Sequence, residues 1–375
     1  MGRHAAYTPS FPCLYLKNTH YLSPMKLVSF LNNYNPRVLH NPYVIAEAGV
    51  NHEGSMELAK RLIDEAAEGG AHAIKFQTYK AETIASKDSP YYWDITKEPT
   101  RSQFELFKKY DKFWKKEYEE LARYCETAGI EFMSTPFDVE SATFLNDLMP
   151  VFKISSSDLT NLPFIEYQCS FGKPIILSTG AAYKWEVMQA VETIEKHGNK
   201  LCLMHCVLNY PTMDENANLG MIKDMIRLFP DAVPGYSDHT LPKDMHTLEV
   251  ATLLGAAVLE KHFTHDKTLP GNDHYHAMDK EDLKHFQKRM YRTFELLGTF
   301  EMKALESEAP ARANARRSLV AATNIPAGKP IEMSDLTWKR PASGISPKDI
   351  HAVIGKKAAR DIGEDEVMKW FLLND

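Results

Sequence analysis

Polar side chains that can do chemistry stand at the ends of short apolar runs along this 375-residue sequence. They are lysines, glutamates, histidines and hydroxyl or amide residues: Glu47, Lys75, Gln77, Thr135, Lys153, Ser156, Ser178, His205, Tyr210, Ser237, His239, Glu260 and His262. Side chains of these types bind anions, hold metal ions or transfer protons. Any one of them could be a hydrogen-bonded core residue, but burying the whole set without partners would be costly. The set therefore favours a catalytic face.

Eight β-rich apolar runs place these side chains, and amphipathic helical stretches separate the runs. The runs are 44–50, 73–78, 132–135, 151–155, 175–178, 201–207, 233–236 and 256–262. This alternation is typical of repeated βα units and a parallel sheet. It predicts an α/β fold with a closed (β/α)8 TIM barrel, and an open doubly wound sheet is the alternative. In a barrel, the carboxyl ends of the strands would bring the polar side chains to one face.

The stretch 79–116 is too long for a simple connection between two of these units. We expect it to form an insertion with helical parts above the second strand. Its aromatic residues Tyr91, Tyr92 and Trp93 could form a lid, or they could simply pack within the loop.

A mildly acidic composition argues against two classes of partner. The formal net charge of -6 indicates a mildly acidic surface, which argues against wholesale binding to nucleic acid or anionic lipid, and no apolar run is long enough to span a bilayer. The five cysteines are an odd number without paired spacing, which fits reduced thiols. We therefore expect a cytoplasmic protein with small-molecule substrates, no nucleic acid partner and no membrane partner.

The sequence divides into a large and a small domain. We expect an N-terminal extension at 1–42, the barrel at 43–297, a linker at 298–315 and a small, mostly β domain at 316–375. Residues 1–24 lack a basic region followed by an apolar stretch, so they do not resemble a signal peptide. A further hypothesis is that translation naturally starts at Met25.

Seven motifs of the large domain resemble the N-acetylneuraminate (sialic acid) synthase family. They are IAEAGVNH at 45–52, KFQT at 75–78, STPFD at 134–138, KISS at 153–156, ILSTG at 176–180, GYSDHT at 235–240 and EKHFT at 260–264. Together they cover residues 43 to about 280 in the order of that family. The tail motifs ARRSLVA at 315–321, IPAG at 325–328 and WKRP at 338–341 look like the antifreeze-like (SAF) domain that follows the barrel in this family.

The resemblance implies a condensation of phosphoenolpyruvate with an N-acylated mannose-type sugar. The sugar would be N-acetylmannosamine or a related 2,4-diacetamido sugar, and the products would be a nonulosonic (sialic-type) acid and phosphate. The catalytic residues would be Glu47, Glu260, His239 and His262, and the phosphoenolpyruvate-binding residues would be Lys75, Thr135, Lys153, Ser156, Ser178 and Ser237. The sugar-binding residues would be Glu47, Gln77, Tyr210, Asp273 and Arg340.

The resemblance also implies a metal cofactor and a dimer. His239 and His262 match the metal ligands of the family, and two imidazoles leave positions open, which suits a catalytic Mn²⁺ or Mg²⁺. His265, His274 and His276 look less specific. The likeness predicts a domain-swapped homodimer in which Arg340 reaches the sugar site of the other subunit.

One position departs from the family pattern. Leu208 stands where N-acetylneuraminate synthases carry an asparagine that contacts the acylated sugar. A 6-deoxy, 2,4-diacetamido sugar would be less hydrophilic and could suit this apolar neighbour, so the product could be of the N-acetylneuraminic, legionaminic or pseudaminic type.

Two other functions compete with this one. A sugar-binding or regulatory barrel without catalysis is disfavoured because the cationic, hydroxyl and two-histidine sets are all intact. A synthase that acts on a phosphorylated aldose is disfavoured by the antifreeze-like tail.

Overall fold

The computed structural model describes residues 26–271 and 273–375, and the chain divides into two units between Gly298 and Thr299. The hypothesis of a start at Met25 and most of the predicted N-terminal extension fall on residues outside those described. The four described cysteines are buried and free, as expected for reduced thiols: Cys125, Cys169, Cys202 and Cys206. None of the helices in the described ranges is long and apolar enough to cross a membrane.

Eight parallel strands form the sheet of the first unit, and each overlaps a predicted run. They are β1 Tyr43–Gly49, β2 Ala73–Thr78, β3 Glu131–Pro136, β4 Phe152–Ile154, β5 Ile175–Ser178, β6 Leu201–Cys206, β7 Val233–Asp238 and β8 Val258–His262. Their order is β3-β2-β1-β8-β7-β6-β5-β4, so the first strand pairs with the last. The outer strands β3 and β4 also lie in contact, which nearly closes the ring. The TIM-barrel prediction is confirmed, and the open doubly wound alternative is wrong.

Helices precede, connect and follow the strands of the barrel. They are α1 Leu27–Asn32, α2 Met56–Gly69, α3 Ala81–Ile84, α4 Gln103–Tyr110, α5 Lys115–Ala128, α6 Val139–Leu145, α7 Leu162–Cys169, α8 Lys184–Lys196, α9 Met221–Leu228, α10 His246–Leu253 and α11 Lys280–Leu297. Helix α2 shows the local rules that set these bounds. The Ser55 hydroxyl accepts a hydrogen bond from the Leu58 amide at its start, and Gly70 ends it with a φ of 90° that favours glycine.

The barrel interior is apolar at the amino ends of its strands and polar at their carboxyl ends. Helix α1 lies in the segment predicted as an extension, yet it buries Leu27 and Leu31 against Tyr43 and Val258, which begin β1 and β8. Burying such a side chain contributes about 1.5–3 kcal/mol. The apolar end is thus closed by packing, and the carboxyl end remains for chemistry.

The second unit is small and mostly β, as predicted. It contains α12 Ala309–Asn314, β9 Ser318–Ala321, β10 Leu336–Lys339, β11 Lys357–Ala358 and β12 Leu373–Asn374. Strands β9 and β10 form one antiparallel pair, and β11 and β12 form another. A separate core that includes Leu319, Ile331 and Val353 holds these short strands together.

Candidate active site

A cavity of about 590 Å³ lies at the carboxyl ends of the barrel strands, and every strand contributes a residue to its wall. Thirteen of the predicted site residues line it: Glu47, Lys75, Gln77, Thr135, Lys153, Ser156, Ser178, Tyr210, Ser237, His239, Glu260, His262 and Asp273. The remaining one, Arg340, follows β10 in the second unit and is exposed. From the predicted insertion, Tyr92 and Trp93 also reach the cavity wall.

One polar residue at a strand end does not belong to this cavity. The His205 ring stacks on Tyr236, and its Nε2 lies 2.8 Å from the Ala217 carbonyl oxygen. The next residue, Cys206, lines the cavity instead, because successive strand residues point to opposite faces of the sheet. The sequence placed His205 at the correct end of the barrel but could not decide its face.

Two buried lysines and two buried glutamates form the charged floor of the cavity. Parallel pairing of β1 with β2 sets Glu47 beside Lys75, and their side chains make a direct ion pair. Glu260 lies between the two lysines, with its Oε1 3.8 Å from Lys75 Nζ and 3.5 Å from Lys153 Nζ. The positive charges are therefore held in place before any anionic ligand binds.

The two glutamates differ in acidity. Burial raises the pKa of Glu47 to about 7, with Lys75 opposing and the charge of Glu260 adding to the rise. Burial also favours neutral Glu260, but the ammonium groups of Lys153 and Lys75 outweigh it and hold the pKa of that carboxyl below its ordinary value. Glu47 can thus exchange a proton near neutral pH, whereas Glu260 stays ionised.

Hydroxyl groups surround the two lysines. Lys75 Nζ donates to Thr135 Oγ1 at 2.9 Å, and Ser237 Oγ donates to Glu260 Oε1 at 3.2 Å. Ser178 Oγ is buried and has no hydrogen-bond partner among the described residues. These groups can donate to the oxygens of an anion that enters the cavity.

Close packing around Gly180 fixes another hydroxyl of the site. Ser156 Oγ accepts a hydrogen bond from the Gly180 amide at 2.9 Å. A Cβ at position 180 would lie 2.8 Å from that oxygen and 3.0 Å from Leu208 Cβ. The ILSTG motif therefore needs glycine here, because a larger residue would displace Ser156 or Leu208.

Histidine and aspartate side chains gather on the β8 side of the cavity. His262, Asp273 and His276 each offer a ligand atom, and these atoms all lie within 4.8 Å of one another. Imidazole nitrogens and carboxylate oxygens suit a divalent transition metal. His262 Nδ1 and both His276 nitrogens are buried without a hydrogen-bond partner in the described ranges, so the residues present fit a metal ion.

His239 approaches the same place from β7. Its ring centroid lies 5.4 Å from that of His262, and its Nδ1 donates to the Val207 carbonyl oxygen at 2.8 Å. That bond leaves Nε2 as the nitrogen that could bind a metal. Burial and the neighbouring His276 and His239 hold the pKa of His262 well below its usual range, which keeps it in the neutral form that binds metals.

The cavity wall also offers groups for a polyhydroxylated ligand. Gln77 Nε2 donates to Glu47 Oε1 at 3.0 Å, and the Tyr210 ring lies 4.2 Å from the His239 ring. Leu208 also lines the cavity and makes this part of the wall apolar. The site therefore joins an anion-binding floor, a metal-binding group and a mixed polar and apolar wall.

Comparison with known proteins agrees with this architecture. The NeuB family matches residues 62–302, and the SAF domain matches residues 316–373. N,N'-diacetyllegionaminic acid synthase of Legionella pneumophila is 37% identical over 88% of this chain and 93% of its own length. N-acetylneuraminate-9-phosphate synthase of Homo sapiens is 32% identical over 88% of this chain and 92% of its own length.

A solved structure extends the likeness to the fold. The N-acetylneuraminic acid (sialic acid) synthetase of Leptospira borgpetersenii is 34% identical, with a TM-score of 0.64 over 72% of this chain and 90% of that chain. The resemblance inferred from the motifs is thereby confirmed. The chain belongs to the NeuB family of sialic-acid-type synthases and ends in a SAF domain.

Proposed function

We propose that this enzyme condenses phosphoenolpyruvate with an N-acylated mannose-type sugar to give a nonulosonic acid and phosphate. The observation that supports this most directly is the convergence of two buried lysines with His239, His262 and Asp273 on one cavity. The lysine ammonium groups can bind the phosphate and carboxylate of a phosphorylated carboxylic acid, and a metal ion held by the histidines could polarise the carbonyl of an aldehyde.

Phosphoenolpyruvate would bind on the charged floor. Lys75 and Lys153 neutralise its phosphate and carboxylate, and hydroxyl groups complete its hydrogen bonds. The hydroxyl donors would be Thr135, Ser156, Ser178 and Ser237. The ligand carries negative charge close to Glu47, so binding favours the protonated form of that carboxyl.

The reaction forms one carbon–carbon bond, and at the second carbon of phosphoenolpyruvate it replaces the bond to the phosphate oxygen with a bond to the oxygen of water. The methylene carbon of phosphoenolpyruvate attacks the open-chain aldehyde of the sugar, and water adds to the resulting cation at the second carbon. Phosphate then leaves with the bridging oxygen, and the second carbon becomes a ketone. A bound Mn²⁺ or Mg²⁺ would polarise the aldehyde and organise water, and His239 and His262 would hold that ion.

The two glutamates would divide the remaining tasks. Glu47, with a pKa near neutrality, fits the transfer of a proton to or from the reacting oxygens. Glu260, which stays ionised between the lysines, fits the orientation of Lys75, Lys153 and the incoming water. Gln77, Tyr210 and Asp273 would position the hydroxyl groups of the sugar.

Release of phosphate tests the function directly. We would incubate the protein with phosphoenolpyruvate, Mn²⁺ and, separately, N-acetylmannosamine, its 6-phosphate, a 2,4-diacetamido-2,4,6-trideoxy mannose-type sugar and erythrose 4-phosphate. Release with an N-acylated sugar and a product of matching mass supports the proposal. Release with erythrose 4-phosphate alone would favour a synthase that acts on phosphorylated aldoses, and no release with any sugar would favour a non-catalytic barrel.

Replacing Lys75 with methionine is expected to raise the KM for phosphoenolpyruvate by about 10–100-fold, since a hydrogen bond to a charged group contributes about 1.5–3 kcal/mol. The KM for the sugar should change much less. Lys261→Met is the matched control, because Lys261 is equally buried and ion-paired, with Asp238 at 2.7 Å, yet does not line the cavity. An effect of Lys75→Met confined to the KM of the sugar would contradict the assignment.

The acceptor would be a 6-deoxy, 2,4-diacetamido mannose-type sugar. The apolar side chain of Leu208 on the cavity wall supports this choice, because a 6-deoxy sugar presents a methyl group where N-acetylmannosamine presents a hydroxymethyl group. The name of the Legionella relative, a diacetyllegionaminic acid synthase, points the same way.

Replacing Leu208 with asparagine is expected to shift kcat/KM toward N-acetylmannosamine by about 10-fold or more relative to the diacetamido sugar, since the amide can pair with a polar group that leucine leaves unpaired. The measurement is the ratio of the two kcat/KM values in wild type and variant. Leu208→Met, which keeps the wall apolar, should preserve the wild-type ranking. If Leu208→Asn also preserves it, this position does not set specificity.

A further inference from the structure

His276 is a buried imidazole whose nitrogens have no evident structural use. The residue is 1% exposed, and neither ring nitrogen has a hydrogen-bond partner among the described residues. The ring packs beside Tyr210 and Tyr275, at centroid distances of 5.5 Å and 5.2 Å. Packing alone would be satisfied equally well by a phenyl ring. An imidazole buries two polar nitrogen atoms as well, and without hydrogen-bond partners their burial costs free energy.

Two further neighbours of His276, Asp273 and His262, carry atoms that can bind a metal ion. Its Nε2 lies 3.8 Å from Asp273 Oδ1, and its ring centroid lies 4.8 Å from that of His262. His262 Nδ1 in turn lies 3.9 Å from Asp273 Oδ2. These separations are too long for hydrogen bonds, and they come close to the spacing of two ligand atoms on one ion.

We infer that the loop between β8 and α11 supplies two further ligands, Asp273 and His276, to the divalent ion that His262 holds. The inference rests on the proposed function for the presence of that ion, and it changes the nature of the site. An ion held by two histidines alone keeps most of its coordination positions for water and substrate. With a third imidazole and a carboxylate, the protein supplies most of the ligands.

This ligand set predicts which metal binds. Imidazole suits transition metals, whereas Mg²⁺ prefers oxygen ligands and keeps its waters. The site should therefore select Mn²⁺ over Mg²⁺, and His276 should account for part of that selectivity. A carboxylate that binds the ion through one oxygen can still accept a hydrogen bond from a sugar hydroxyl through the other.

The test compares Mn²⁺ binding by wild type, His276→Phe and a matched control. His52 provides the control, because it is also 1% exposed with an unpartnered Nε2, and its ring stacks on Phe113 at 4.2 Å outside the metal-binding group. Titration of metal-free full-length protein, followed by the electron paramagnetic resonance signal of free Mn²⁺, gives each Kd without reference to activity. His276→Phe should raise the Kd for Mn²⁺ by at least about 10-fold, as expected when support of a metal site is lost. His52→Phe should leave it within about 2-fold.

Circular dichroism and thermal unfolding of the metal-free proteins check that both variants fold. If His276→Phe does not fold, His276→Gln replaces it, with His52→Gln as its control. Wild-type Mn²⁺ affinity in a folded His276 variant would overturn the inference and leave the proposed function standing. A wild type that binds no Mn²⁺ yet releases phosphate would overturn the inference together with the proposed metal dependence.

Discussion

Alanine in place of His262 is expected to reduce turnover at saturating phosphoenolpyruvate by about 10²–10³-fold, because loss of the metal removes several kcal/mol of charge stabilisation. His262 is the last residue of β8 and lies among His239, Asp273 and His276. Of the three described histidines of this group, His262 is the one whose ring lies in contact with the rings of both others. Its removal should therefore weaken metal binding more than any other single change in this group.

The barrel should remain folded in this variant. His262 Nδ1 makes no hydrogen bond within the described residues, so its loss leaves no partner group unpaired. His205→Ala is the control, because His205 is also a buried histidine near a strand end but faces away from the cavity. It should lose stability and keep its turnover per folded molecule. Unchanged metal affinity and unchanged turnover in His262→Ala would reject the assignment of His262 as a ligand.

Complementation between two inactive variants is the second large effect that we expect. We propose a domain-swapped homodimer in which Arg340 of each chain serves the sugar site of the other chain. Arg340 is exposed and sits in the WKRP motif directly after β10. A guanidinium with five donors suits a polar, acylated sugar. Exchange of a small domain is a low-cost route to such a dimer.

Arg340→Ala and His262→Ala proteins should each be nearly inactive alone. When the two are refolded together, mixed dimers should regain one working site, with close to half the turnover of a wild-type dimer. That site combines the tail of the His262→Ala chain with the barrel of the Arg340→Ala chain. The measured quantity is the rate of phosphate release. It should rise from under a few per cent of the wild-type rate in each variant alone to about half of the wild-type rate in the mixed dimers.

The control for this experiment is Lys339→Ala. Lys339 is the neighbouring exposed cation and pairs with Asp365 at 2.5 Å, so its removal changes the same surface by the same charge. This variant should be active on its own. If native mass spectrometry verifies the mixed dimers and no activity returns, Arg340 does not act in trans.

The sequence by itself determined the barrel and the composition of its catalytic face. Buried parallel strands appear as nearly continuous apolar runs, so the eight strands could be located, and Ala73–Thr78 and Ile175–Ser178 match their predictions residue for residue. The closed topology then brings the carboxyl ends of all eight strands to one face of the barrel. For this reason Lys75 and Lys153, far apart in the chain, could be predicted to share a site before any distance was known.

Only the tertiary structure decided how these side chains interact. Burial beside Glu260 raises the pKa of Glu47 to about 7. The extent to which folding removes water from a side chain cannot be deduced from a sequence pattern. Register and pleat turned His205 outward and Cys206 inward, because one residue along a strand reverses the side-chain direction. His276 resembled an unspecific loop histidine in the sequence. The path of the loop after β8 places it against Asp273 and His262, and loop paths depend on packing that local sequence rules do not specify.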